Sequence, residues 1–394
     1  LTCLGVGWGI FMLVVMLGAG DGLKNGIMQD FAGTATNSFF MWAQKTNKPY
    51  KGMKPGREYN FNNGDAIALN NIKELAIVSP QNQLGGHDRG SSVVRGLKTG
   101  SFQVVGVYPN LAQILYIDIK GGRFLNDNDI KEKRKVCVIG TRVKESLFAK
   151  DEDPLGKYIR INGVYFKVIG CTIPSGNGDR AREDAERIMT PFSTFQNAFN
   201  YGDVVGWFAI SAKPSIPAEE AEKIAIALVK ERHKVAPDDD QAVGHWNMGV
   251  QYKKMSGLFV GINSLVWFVG IGTLIAGVIG ISNIMLIIVK ERTREIGVKR
   301  ALGAEPVSVI FQIILESVFL TILAGYIGML IGLVLLEGLN SAMGEGGGMF
   351  RNPTVDLSGV FQALVVLVIS GALAGLIPAL RAVSINPVEA LRAE

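Results

Sequence analysis

Charged residues are missing or nearly missing from four stretches of the chain and crowded into the segments between them. Residues 258–289 contain no Asp, Glu, Lys or Arg, and residues 307–336 contain only Glu316. Residues 1–20 and 357–380 are uncharged as well. A bilayer core requires ~20 apolar residues per helix, so each stretch predicts a transmembrane span. Residues 21–257 mix charged, polar and apolar positions in short periods and read as a water-soluble domain. The pattern predicts a membrane protein of four transmembrane helices. A large α+β extracytoplasmic domain is inserted between the first and second of them.

Topology follows from the connecting segments. Residues 290–306, VKERTREIGVKRALGAEP less its first valine, carry Lys290, Arg292, Arg294, Lys299 and Arg300. Short loops rich in Lys and Arg favour the cytoplasmic side. This segment therefore reads as a tight cytoplasmic turn, short enough to serve as a docking surface for a soluble partner. The inserted domain and a loop at 337–356 then lie outside, and both ends, including a tail at 381–394, lie inside. The run at the start of the chain is long for a signal peptide and lacks a basic lead-in. A missing short cytoplasmic lead-in is the expectation there, with an upstream domain left open.

Finer periodicities divide the inserted domain. Leu23, Ile27, Met28 and Phe31 recur at helical offsets, so residues 21 to about 40 are expected to carry the first span outward as a helix. Strands and turns are expected from about residue 39 to 211. In KYIRINGVYFKVI (157–169), apolar residues alternate on either side of Asn162-Gly163, a strong hairpin signal. Residues 217–235 read as a helix opened by a proline and acidic residues. Residues 248–257 are expected to lead helically into the second span.

Composition adds mostly exclusions. The formal charge of +5 is mild and scattered, with no aromatic–basic interleaving, so no nucleic-acid partner is expected. There is no G-x-x-x-x-G-K-[ST] phosphate loop and no G-x-S-x-G, and Gly346–Gly348 read as a loop. His87, His233 and His245 are too far apart in sequence for a metal motif. Asp238, Asp239 and Asp240 lack the spacing of a calcium loop and read as a solvated run. No catalytic, metal or cofactor site is expected in this chain. Cys137 and Cys171, two of three cysteines, lie in strand-like runs and either pair or remain small buried thiols.

Two features of the spans bear on assembly. Gly5 and Gly9, Gly328 and Gly332, and Gly371 and Gly375 have the spacing that brings helix backbones together in lipid, within one chain or between copies. Glu316 lies about ten residues into its helix, roughly 15 Å at helical rise. It reads either as an intramembrane polar switch or as the partner of a loop arginine or a backbone group.

The segment REIGVKRALGA (294–304) resembles the cytoplasmic loop of the FtsX/MacB-type ABC transporter permeases. GGRFLNDNDI (121–130), KVCVIG (135–140) and EDPLGKYIRINGVYFKVIG (152–170) look like the periplasmic core domain of the macrolide-exporter branch, and IPALRAVSINPVEALRAE (377–394) is similar to the C-terminal signature. The resemblance implies a homodimer in the inner membrane, paired with cytoplasmic ATPase subunits that bind ATP and Mg. ATP-driven motion at the coupling segment would tilt the spans and shift the periplasmic domains. Arg294, Glu295, Gly297, Arg300 and Gly303 match the coupling motif and are the expected ATPase contacts. A periplasmic adaptor and an outer-membrane channel are further implied partners, with antibiotics, peptides or similar amphiphiles as cargo. Lipoprotein release, or signalling to cell-wall hydrolases without transport, are the alternatives. Macrolide exporters carry an ATPase ahead of the first span. None precedes Leu1 in this sequence, so the expectation is either a separate ATPase chain, which is favoured, or a sequence that is a fragment of a longer protein.

Overall fold

The computed structural model describes residues 2–85, 90–174, 178–343 and 357–384. His87, residues 344–356 of the glycine-rich stretch and residues 385–394 of the tail lie outside the described residues. The chain forms two compact units. The membrane unit takes Leu1–Ile27 and Gly257–Glu394, and the inserted unit takes Met28–Ser256.

Along the chain, α1 (Thr2–Ala32) is followed by β1 (Ser38–Ala43), β2 (Phe61–Asn62), α2 (Asn63–Asn70), β3 (Leu75–Gln83), β4 (Ser91–Arg95) and β5 (Lys98–Val107). Next come α3 (Leu111–Leu115), β6 (Asp118–Gly122), α4 (Asp127–Lys131), β7 (Val136–Ile139), α5 (Thr141–Leu147), β8 (Tyr158–Ile161) and β9 (Val164–Ile173). Then follow α6 (Gly178–Glu186), β10 (Arg187–Pro191), α7 (Phe192–Ala198), β11 (Val204–Val205), β12 (Trp207–Ala212), α8 (Ala218–Arg232) and β13 (Val243–Asn247). The last elements are α9 (Met248–Glu291), α10 (Thr293–Ala301), α11 (Pro306–Met343) and α12 (Leu357–Val383).

In the inserted unit, β3, β12, β1 and β13 form an antiparallel sheet. Side chains alternate across it. Phe39 and Met41 face one way and join Ala221, Ala225 and Val229 of α8 in a core, while Phe40 faces the other. Six further strands close a ring in the order β5–β10–β7–β9–β8–β4 and back to β5, with β10 parallel to β5 as the closing pair, while β6 pairs with β9 beside it and β2 pairs with β11 apart from it. Closure leaves no open edge in that ring. Val104, Phe166, Val168 and Ile188 are among the side chains that fill it. The Asn162-Gly163 turn between β8 and β9 has positive φ at both residues, 43° and 91°, as a two-residue hairpin turn requires.

Cys137 and Cys171 are free and buried in the ring's core. A register shift places Cys137 opposite Val168 and Cys171 opposite Ile139, so they are not register partners. Burial pushes both thiols up from their ordinary range, which keeps them protonated.

The motif GGRFLNDNDI proves to be a structural clamp. Asn126 caps α4 by accepting from the Asp129 N–H, and the Asp129 carboxylate accepts from the Asn126 N–H in return. Arg123 grips the fully buried Asp129 with both Nη atoms, at 2.6 and 3.0 Å. Asn62 and Asp65 make the same capping box at α2, where Arg232 and His233 bond Asp65, each at 2.6 Å.

The first helix ends earlier than its apolar spacing predicts, at Ala32 rather than near residue 40. Gly33, Thr34 and Thr36 are poor helix formers, and Ser38 already pairs in β1. In the membrane unit, four helices are long and apolar enough to cross a bilayer. All three glycine pairs pack within this one chain. Gly5 and Gly9 meet α9 at Gly277 and Leu274, Gly328 and Gly332 meet α1 at Gly7 and Val14, and Gly371 and Gly375 meet α11 at Thr321 and Ser317. A Cβ on Gly328 would overlap the Gly7 carbonyl oxygen, so the two backbones touch there.

Candidate coupling site

The basic segment between the second and third spans is a helix rather than a tight turn. Its residues had a helical reading: Glu295 precedes Lys299 by four positions and pairs with it at 3.3 Å. Glu295 in the first turn and Lys299 and Arg300 in the last also suit the helix dipole. α9 stops one residue earlier, at Glu291, where the Thr293 hydroxyl donates to the Lys290 carbonyl at 2.7 Å. α10 ends in a Schellman motif: the Gly303 N–H donates to Arg300 O and the Ala304 N–H to Lys299 O, both at 3.1 Å. Gly303 has φ +98°, a conformation that side chains disfavour. Pro306, whose missing N–H costs nothing at a first helical position, then starts α11.

This geometry sorts the five motif residues. Arg294 and Glu295 are exposed on α10. Gly297 is buried on its inner side. Arg300 is half-buried, and its guanidinium donates to the carbonyl of Val383, the last residue of α12. It therefore ties the end of α12 to α10, while Gly303 shapes the exit turn. Two residues present charge outward and three set the helix in place. Glu316 lies 3.6 Å from Arg292, with about a third of its side chain exposed (36%). The pair matches the reading of Glu316 as a partner for an arginine of the connecting segment, and it leaves the reading as an intramembrane polar switch untested.

An apolar feature of the surface escaped the charge-based reading. Leu302 is 84% exposed, and Val298 and Val307 are exposed beside it at 39% and 69%. The signal was present as Val298 and Leu302, four positions apart in a segment rich in charge. On α10, Arg294 and Glu295 lie four and three positions before Val298, and Lys299 lies three before Leu302, so the exposed apolar residues of this helix and its end sit among charges, as at the centre and rim of a protein-docking surface.

At its other end, α9 is anchored within the inserted unit. The Asn247 side chain accepts from the Val250 N–H at 3.1 Å and so caps the first turn. Its amide donates to Glu222 Oε2 at 2.8 Å, and His245 Nδ1 meets Glu222 Oε1 at 2.8 Å. Phe31, near the end of α1, packs edge-on against Tyr252 with ring centres 6.0 Å apart. Gly249 comes so close to the Thr36 carbonyl that an added Cβ would sit 3.1 Å from it. The ends of α1 and α9 are thus bound to each other and to α8. Neither Glu222 nor Asn247 stood out in the sequence, although an asparagine just before a helix is a capping signal.

Residues 1–228 match the family described as MacB-like periplasmic core domain, and residues 267–387 match the FtsX-like permease C-terminal family. The chain is 28% identical over 394 residues to the pyoverdine export ATP-binding/permease protein PvdT of Pseudomonas entomophila (strain L48), with all of this chain and 57% of that protein covered. It is 30% identical over 397 residues to the macrolide export ATP-binding/permease protein MacB of Chlorobaculum tepidum, covering all of this chain and 59% of the relative. The chain therefore spans less than two thirds of these relatives. Among solved structures, the periplasmic region of MacB from Actinobacillus actinomycetemcomitans aligns with TM-score 0.46 and 21% identity, over 58% of this chain and 97% of that one. The extracellular domain of YknZ, a transporter from Gram-positive bacteria, aligns with TM-score 0.44 and 16% identity, over 54% of this chain and all of that one.

Proposed function

Because the chain belongs to the FtsX/MacB-type ABC transporter permeases, we propose that it transmits the work of a cytoplasmic ATPase to its inserted, periplasmic-core-type domain. The observation that carries this reading is the exposed apolar surface of Val298, on α10, and Leu302, at its C-terminal end, between α9 and α11. The ATPase docks there, whether on a separate chain or joined to this one, and binds the ATP and Mg. Its closure moves α10, and α9, unbroken over 44 residues, carries the motion to the root held by Asn247 and Glu222. Arg300 and Gly303 keep α10 in register with α12 and α11 during the stroke.

The names of the relatives, pyoverdine and macrolide export proteins, support export of a small amphiphile as the task. A homodimer in the inner membrane, working with a periplasmic adaptor and an outer-membrane channel, completes the proposal. The test is to purify the chain from its native membrane in mild detergent and measure the ATPase activity that accompanies it. Leu302→Asp and Glu295→Lys, both on the exposed surface, are expected to reduce the recovered ATPase at least tenfold without altering the fold of the chain. Unchanged ATPase recovery and activity in both variants would remove the docking argument.

A further inference from the structure

A cleft of about 890 Å³ opens in the inserted unit, on the sheet face turned away from α2 and α8. Its floor is a continuous run of β13, β1, β12, β3, β5 and β10. Across that floor Trp246 lies opposite Phe40, Trp207 opposite Gln81, and Gln103 opposite Arg187. One wall is α6, which contributes Arg180, Glu183 and Glu186. Thr34, just beyond α1, and Met248, the first residue of α9, form part of the edge.

Unmet hydrogen-bonding groups in this floor point to a ligand. Gln81 is only 5% exposed, and its amide nitrogen has no hydrogen-bond partner. The Nε of Arg187 is likewise buried without a partner, although its Nη1 bonds Asp184. Buried donors are almost always satisfied, and each exception calls for a cause. The terminal torsion of a glutamine is soft, so the Gln81 amide turns readily toward an acceptor placed in the cleft. Beside these donors, the half-exposed Trp246 and its neighbour Trp207 offer apolar ring surface. Arg180 and Arg187 balance Glu183 and Glu186, so the lining favours neither anions nor cations.

We propose that this cleft is a binding site for a neutral, amide-bearing amphiphile, a short peptide-like molecule with apolar substituents. Its carbonyl groups accept from Gln81 and Arg187, and its apolar groups lie on Trp246 and Trp207. Binding itself stands on this geometry; that the bound molecule is cargo rests on the permease reading above. With Thr34 and Met248 at the edge, a ligand in the cleft also touches the roots of α1 and α9.

The full chain in lipid nanodiscs is titrated with N-acetyl-leucyl-leucinamide in a calorimeter, with empty nanodiscs as the blank. Saturable one-to-one binding is expected, weakened at least tenfold by Gln81→Leu and by Trp246→Ala. Trp246 is half-exposed, so its truncation leaves the fold intact and decides the matter should Gln81→Leu fail to fold. N-acetyl-aspartyl-aspartate at the same concentrations is expected to bind at least tenfold more weakly. Absent saturation, unchanged binding in the folded Trp246→Ala protein, or equal binding of the trianion would each overturn the proposal. No ATPase takes part in this measurement. Its failure leaves the permease reading standing, and a failure of the Leu302 test leaves the cleft standing.

Discussion

Asp65, Asp129 and Glu222 are all buried in the inserted unit, and each is hydrogen-bonded through both carboxylate oxygens. In the membrane unit the polar residues buried among the described residues are Ser282, Ser317, Thr321 and Ser370, and its helices meet at glycines. The inserted unit specifies its fold with charge because arginine and histidine partners can be brought in from water-facing positions. A charge placed in lipid costs several kcal/mol, and apolar burial gives no preference between helix and lipid tail. Shape must then do the specifying, and glycine provides it by letting backbones touch.

That contrast is open to direct attack, most severely at Gly328. Gly328→Leu drives a side chain into the Gly7 backbone, which no rotamer change relieves, and is expected to cost at least about 3 kcal/mol. Loss of monodisperse protein on size exclusion in mild detergent is the readout. Recovery like that of the parent chain would mean that α1 and α11 are not in backbone contact.

Next in size is Asp65→Ala, which strands His233 and Arg232, with side chains 12% and 38% exposed. Because Arg232 still reaches water, the expected loss is about 2–4 kcal/mol, read as faster hydrogen exchange in α2 and α8. Burial alone would push the Asp65 carboxyl up, but the bonds from His233, Arg232 and the Asn62 N–H outweigh it and hold the carboxyl below its ordinary value. A depressed carboxyl stabilises the fold above its unfolded pKa of about 3.9 and loses that contribution as pH falls through the folded value. Protection of α2 is therefore expected to decline in acid below about pH 4, and Asp65→Ala to flatten that decline.

The smallest effect belongs to Ser317→Ala. The Ser317 hydroxyl donates to the Gly371 carbonyl at 3.0 Å between α11 and α12. Such bonds in membranes average about 0.6 kcal/mol, so a small shift in thermal midpoint is expected. A loss above about 2 kcal/mol would mean that polar bonds specify this bundle as they do the inserted unit.

Much of this was legible in short stretches of sequence. The β8–β9 hairpin follows from Asn162-Gly163 and its flanking alternation, and the start of α8 from Pro217 and the acids after it, since each depends on residues a few positions apart. The candidate docking surface was legible only in part. Its charges and glycines were visible, but Leu302 and the helical form of α10 were not weighed, although Glu295, Lys299 and Gly303 encode that helix locally. The inward turn of Arg300 was beyond local reading, because its acceptor at Val383 lies 83 residues away.

By itself the sequence determined where the chain is apolar enough to cross a membrane, where it must be soluble, and which turns and caps punctuate the soluble part. Those are local matters of transfer free energy and backbone preference. Tertiary structure alone decided that β10 closes the ring against β5, that the glycine pairs serve this chain's own helix crossings, and that Trp246, Trp207 and Gln81 share one cleft. These are choices among distant partners of similar local propensity, settled only when the whole core packs and its buried polar groups find one another.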